Sequence, residues 1–352
     1  MSAREPGRGA VPAVLAAGSA DGQNRGVNRP HVRRVVAGGL CAVLLAAGCS
    51  SPAEPAADPQ PDPQPTPSAA APSSAAVALD PLPVPERAAA VGTRRLTVTR
   101  GSRELPVTLW YPANGSGGTS ADAVPAPGRF PVVVFSHGLG AAPADYRQLL
   151  VRWARAGFVI AAPTFPSSAG AQGPAGLMDV LKQPADVSAV LTEVLALDGR
   201  AGDLLAGHLH TDRVAAAGHS AGGVTTVGLF TTGRDDRLRA GVVLAGSALG
   251  VGTAFAGAAA PQLFVHGERD DVVSYASGRA AYEAVPWPKA MLSLPEGDHG
   301  ASMSDPDSPG FRVVSQTVLD FLYWTLYGDP AARQRLSAGG ERGKVGVLDA
   351  QL

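Results

Sequence analysis

Three features of the chain predict an α/β architecture with a mostly parallel central sheet covered by helices on both faces. Short, continuously apolar runs such as Pro131-Val132-Val133-Val134-Phe135-Ser136 alternate with longer amphipathic segments, the pattern of strands buried on both sides. The pentapeptide Gly218-His219-Ser220-Ala221-Gly222 joins one such run to a helical segment. Residues from about 93 to 327 suffice for one domain with a sizeable core.

Taken in order, Arg94–Arg100 and Glu104–Tyr111 are β-rich and joined by Gly101-Ser102, which predicts an antiparallel hairpin opening the domain. A Gly/Ser/Pro loop over 112–128 leads to the buried strand ending at Ser136. The spacing then predicts a helix over 144–156, a strand over 158–162 and a helix over 184–197. A strand over 214–217 follows, with a tight turn at Ser220 and a helix from Gly223. Strands over 240–245 and 262–266, a helix over 275–284, a strand over 290–294 and a closing helix over 311–327 complete the series. Only 16 residues separate Ala245 from Gln262, too few for a helical lid domain, so the carboxyl ends of the strands, where such sheets bind ligands, are expected to be open.

The ends read differently. Arg33-Arg34 precedes an apolar run of 13 residues, Val35 to Ala47, that stops at Gly48-Cys49-Ser50. A charged segment, a short apolar segment and small residues make a signal peptide over 1–48, too short in its apolar part to span a bilayer comfortably. From 49 to 88 the chain is Pro, Ala, Ser and Asp with few large apolar residues, which predicts a disordered, extended tether. Within it, the 36 residues from Ser50 to Pro85 would reach on the order of 100 Å at most in polyproline II form. The predicted domain runs over 89–330, and the tail over 331–352 is assigned no role. Without residues 1–48 the chain carries 23 basic and 28 acidic residues, a balance that does not suit nucleic acid. Both cysteines, Cys41 and Cys49, lie outside the predicted domain, which excludes a disulfide, a thiol nucleophile and a cysteine metal site within it.

With 43 glycines and 24 serines in 352 residues, chance supplies about 0.4 pentapeptides of the form Gly-x-Ser-x-Gly, so context carries the case. A strand, a sharp turn and a helix around Ser220 form a nucleophile elbow, in which side chains at 218 and 222 would collide. A serine hydroxyl near neutral pH needs an imidazole to take its proton and a carboxylate to orient the imidazole, in the chain order Ser, acid, His. The strand over 262–266 runs into Gly267-Glu268-Arg269-Asp270-Asp271, where Asp270 is chosen and Asp271 is the alternative. The last strand is followed by Gly297-Asp298-His299-Gly300, which makes His299 the base. His137 and His219 sit in loops where they more often pack than react. His208 and His210 lack further ligands at metal-site spacing, so no metal is predicted. Developing oxyanion charge calls for two preorganised donors, the backbone N–H groups of Leu139 and Ala221. Phe165, in the loop after the strand over 158–162, is a candidate substrate contact.

On these residues, with Val133–Ala141, Tyr146 and Gly157–Ala162, the chain resembles the α/β-hydrolase superfamily over Leu96 to Tyr327. The nearest likenesses are platelet-activating-factor acetylhydrolases, dienelactone hydrolases and cutinase-like polyester hydrolases. Acetylhydrolases place the acid after the strand next to the nucleophile strand, where this chain reads Ala245-Gly246-Ser247; the Asp270 placement matches the other two families. Leu45-Ala46-Ala47-Gly48-Cys49 resembles a bacterial lipobox. The resemblance implies an α/β-hydrolase fold and a serine carboxylesterase without cofactor, acting on a small-molecule, lipid or polymer ester. It also implies export and attachment to the outer face of the cell membrane through a lipid on Cys49. A non-catalytic surface lipoprotein and an acyltransferase with the same triad are the alternatives.

Overall fold

The computed structural model describes residues 79–85, 90–170 and 173–352. The signal segment, Cys49 and most of the tether lie outside the described residues.

The chain forms β1 (Ala90–Arg100), β2 (Arg103–Ala113), β3 (Thr119–Ala121), β4 (Phe130–Ser136), α1 (Arg147–Arg155), β5 (Val159–Pro163), α2 (Pro174–Val180) and α3 (Gln183–Ala196). The middle comprises β6 (Leu209–His219), α4 (Ala221–Gly228), β7 (Leu238–Leu244), β8 (Gln262–Gly267), α5 (Tyr275–Ala284) and β9 (Lys289–Leu294). Last come α6 (Ala301–Ser304), α7 (Phe311–Leu322), α8 (Pro330–Ser337), β10 (Gly340–Arg342) and β11 (Gly346–Gln351). The strands form one sheet in the order β10-β11-β9-β8-β7-β6-β4-β5-β2-β1-β3. Strands β4 to β9 are mutually parallel, β2 joins β5 antiparallel, and β1 and β2 are the predicted hairpin, turning at Gly101 with φ 60°.

Alternation along the strands sorts the core into two layers. Val132, Val134, Ala216, Val243 and Phe264 pack with Val187 and Val190 of α3, Val227 of α4 and Tyr282 of α5. Val133, Phe135, Ala217, Val242 and Val265 pack on the other face with Leu149 and Trp153 of α1 and Val314 and Phe321 of α7. Because both faces are covered, the strands read as continuous apolar runs rather than alternating ones. From β4 the chain moves outward to β5 and then returns to the other side of β4 as β6. The loops after β4 and β6 therefore meet at a topological switch point, where open α/β sheets bind ligands.

Four expectations are corrected. Strand β6 begins at Leu209, not Val214, because Leu209 and His210 pair with Phe130 and Pro131 before a register shift sets Val214 opposite Val132. Helix α2 lies between the predicted strand over 158–162 and the predicted helix over 184–197, where no helix is expected. At seven residues it is too short to show a period, and the buried Asp179 at its end is held by Arg103 of the hairpin at 2.6 Å. Residues 331–352, predicted as a tail, fold onto the domain. Asp329 caps α8 by accepting the Ala331 N–H, Arg335 pairs with Asp320 of α7, and β11 runs antiparallel to β9 from Val347↔Ser293 to Gln351↔Lys289. The tether, too, ends earlier than residue 88: the Leu82 N–H donates to Tyr327 O at 2.7 Å, and buried Arg213 donates to Asp80 O and Leu326 O.

Candidate active site

Ser220 stands between β6 and α4 with φ 57° and ψ −121°. Crowding explains the neighbouring glycines: a Cβ at 218 would lie 2.1 Å from Gly222 O, and one at 222 would lie 2.0 Å from Ser136 O. No side chain fits between the elbow and the end of β4. The turn is pinned to β7 by the Ser220 N–H donating to Leu244 O.

His299 lies in the loop after β9, and Asp270 in the loop after β8. These loops are laced together, since the Glu268 N–H donates to Leu294 O and the Arg269 N–H to Gly297 O. The result brings the three predicted side chains into line. His299 Nε2 stands 2.8 Å from Ser220 Oγ, and His299 Nδ1 stands 2.8 Å from Asp270 Oδ2. Asp271 is exposed and has no part in this line.

Asp270 is fully enclosed, with His299 on one oxygen and the Val272 and Val273 N–H groups on the other. His266, buried at the end of β8, adds a contact that the sequence reading did not assign. Its Nε2 stands 2.8 Å from Val273 O, which can only accept, so that nitrogen carries a proton, and it lies 3.2 Å from Asp270 Oδ2. Burial by itself would raise the Asp270 pKa, but the hydrogen bonds from His266, His299 and the Val273 N–H outweigh it. The carboxyl is held well below the usual carboxylate range and stays ionised.

The loop after β4 has its donors almost entirely engaged. The Gly138 N–H donates to Tyr146 Oη, the Gly140 N–H to Ser168 O and the Ala141 N–H to Gly138 O. Buried His137 donates from Nδ1 to Gly138 O and accepts the Phe165 N–H on Nε2, and burial pushes its pKa down. Among the described residues the Leu139 N–H donates to nothing, and the same holds for the Ala221 N–H at the start of α4. Both predicted donors are thus left unpaired in the loops that flank Ser220.

Phe165 is corrected. It is fully buried, its ring lies 5.1 Å from that of His137, and it offers no surface to a ligand. His208 bonds Gly128 O and His210 lies within β6. Clefts of about 450, 560 and 440 Å³ indent the described surface, and none is lined by Ser220, Asp270 or His299. His219 is expected to pack rather than react. It is buried, with Nδ1 2.8 Å from Tyr146 Oη and Nε2 2.7 Å from His299 O.

No curated protein matches the chain. A family model does match, over a stretch that contains the loop after β4 and the elbow at Ser220 and stops before Asp270 and His299. Over residues 123–258 the chain is similar to the chlorophyllase family, which belongs to the α/β-hydrolase superfamily.

Proposed function

We propose that the protein is a serine carboxylesterase of α/β-hydrolase fold. The observation that carries the reading is the line from Asp270 through His299 to Ser220, with two unpaired amides beside it. His299 Nε2, kept bare by the Nδ1–H bond to Asp270, takes the Ser220 proton as Oγ attacks the ester carbonyl. The carbonyl oxygen becomes an oxyanion, which the N–H groups of Leu139 and Ala221 stabilise. Collapse expels the alcohol, protonated by His299, and leaves an acyl group on Ser220. Water, deprotonated by the same imidazole, then releases the acid. Ionised Asp270 stabilises the transient imidazolium throughout. Similarity to the chlorophyllase family favours esters over amides. The signal-like segment and Cys49 support export and lipid anchoring at the outer face of the bacterial membrane.

The test is a series of p-nitrophenyl esters from acetate to palmitate, with a serine-directed phosphonate. Hydrolysis is expected to be phosphonate-sensitive, to fall about 10⁴-fold or more in Ser220→Ala and about 10⁴-fold in Asp270→Asn. Asp271→Asn is expected to stay within a few-fold of the parent. Unchanged turnover in Ser220→Ala would sink the assignment, and no turnover with no labelling of Ser220 would favour a binding protein.

A further inference from the structure

Four groups beside Ser220 form a relay whose direction is fixed by its two ends. Tyr146 closes the short 3-10 turn that leads into α1, and His219 is the last residue of β6; both are buried. The Gly138 N–H reaches Tyr146 Oη at 3.1 Å, Tyr146 Oη stands 2.8 Å from His219 Nδ1, and His219 Nε2 stands 2.7 Å from His299 O. A carbonyl oxygen only accepts, so His219 Nε2 carries the proton. Burial, and next to it the neighbouring His299 ring, lower the His219 pKa to about 4, so the ring is neutral and Nδ1 is bare. Tyr146 therefore donates to Nδ1 and accepts from Gly138, and every donor points from Gly138 toward His299.

Both ends are backbone groups next to the reacting centre. The first, Gly138, precedes Leu139; a Cβ there would lie 3.3 Å from Ser220 Cβ. The last is the carbonyl of His299 itself, whose ring centroid lies 4.8 Å from that of His219. His219 is also joined to Ser220 by a peptide bond. We infer that Tyr146 and His219 are positioning residues that set the Leu139 N–H and the His299 ring against Ser220 Oγ as one unit. This rests on the serine-esterase reading above. The relay joins the loops after β4, β6 and β9, so a displacement of one is felt by the other two. A misplacement near 1 Å at such a centre costs about 10²-fold in rate.

A pair that served stability alone would lower the melting temperature on removal and leave turnover per folded site unchanged. Tyr146→Phe keeps the ring, which packs 4.9 Å from Phe135, and removes only the oxygen. His219→Asn keeps a polar group near Nδ1 and gives up the bond to His299 O, whereas His219→Gln keeps a donor near Nε2. In the full chain, with active sites counted by phosphonate titration, Tyr146→Phe is expected to lower kcat by about 10–100-fold and shift KM less than about 3-fold. The rate of phosphonylation, which uses the same oxyanion donors, should fall in parallel. His219→Gln should retain more kcat than His219→Asn. The double variant Tyr146→Phe/His219→Asn should be no slower than about twice the slower single variant, since each breaks the same unit. Values of kcat within 2-fold of the parent in Tyr146→Phe, or losses that multiply in the double variant, would overturn the inference. Absence of turnover and labelling in the parent chain would instead overturn the esterase reading, and this inference with it.

Discussion

At Ser220 the backbone adopts φ 57°, a conformation that costs a residue with a Cβ about 1–3 kcal/mol. Packing of the elbow against the end of β4, with glycines at 218 and 222, holds it there. Next to it, His219 is a buried neutral histidine, which has a consequence for acid stability. Its folded pKa of about 4 lies below the ordinary 6.5, so between these values the unfolded chain binds a proton that the native site refuses. Stability is therefore present above pH 6.5, falls as pH drops toward 4 and levels off below it, by on the order of 3 kcal/mol. His137, also buried and depressed, adds a loss of the same sign. Chemical denaturation across pH 4–7 should show a flatter dependence in His219→Gln than in the parent, and equal slopes would exclude His219 as the source. The serine, acid and base were legible because each follows a strand and carries its chemistry in its name. His266 and the Tyr146–His219 pair were not, because one buried histidine reads like another until its partners are in place. Phe165 misled for the complementary reason: an aromatic in a loop looks exposed, whereas its N–H on His137 draws it inward.

At the scale of elements, the strands and helices that build the core were legible from continuous apolar runs and from helical spacing. Helix α5 runs from Tyr275 to Ala284, the range the sequence predicts, and β4 is buried at every position. What escaped was held by tertiary contacts rather than pattern. Helix α2 depends on the Asp179–Arg103 pair, and the final hairpin depends on β9 as its template. Strand β11 alternates weakly, with Leu348 as its one deeply buried large side chain. Removing residues 343–352 strips β9 of its outer neighbour and exposes a buried edge. This truncation should lower the midpoint of thermal unfolding by several degrees and promote aggregation, as read by scanning calorimetry and light scattering. A midpoint equal to that of the parent would mean that β9 stands without its partner. Because β9 leads into the His299 loop, ester turnover should fall in the same variant.

Across the whole molecule, the chemistry gathers at one end of the sheet. Ser220, Asp270 and His299 follow the carboxyl ends of β6, β8 and β9. The predicted lipid anchor is tested by membrane fractionation of cells: the full chain should sediment with membranes and Cys49→Ala should become extractable in salt, whereas equal partition would remove Cys49 from the account. Where the described chain first meets the body bears on this. Residues 79–85 rest on Tyr327, Arg213 and Gly157, with Pro85 beside the glycine that precedes β5. That contact lies by the amino ends of β4 and β5, at the pole opposite Ser220. If the proposed esterase is anchored through Cys49, a body held at this pole would meet esters arriving from the surroundings, and membrane lipids would reach Ser220 only were the body to turn over.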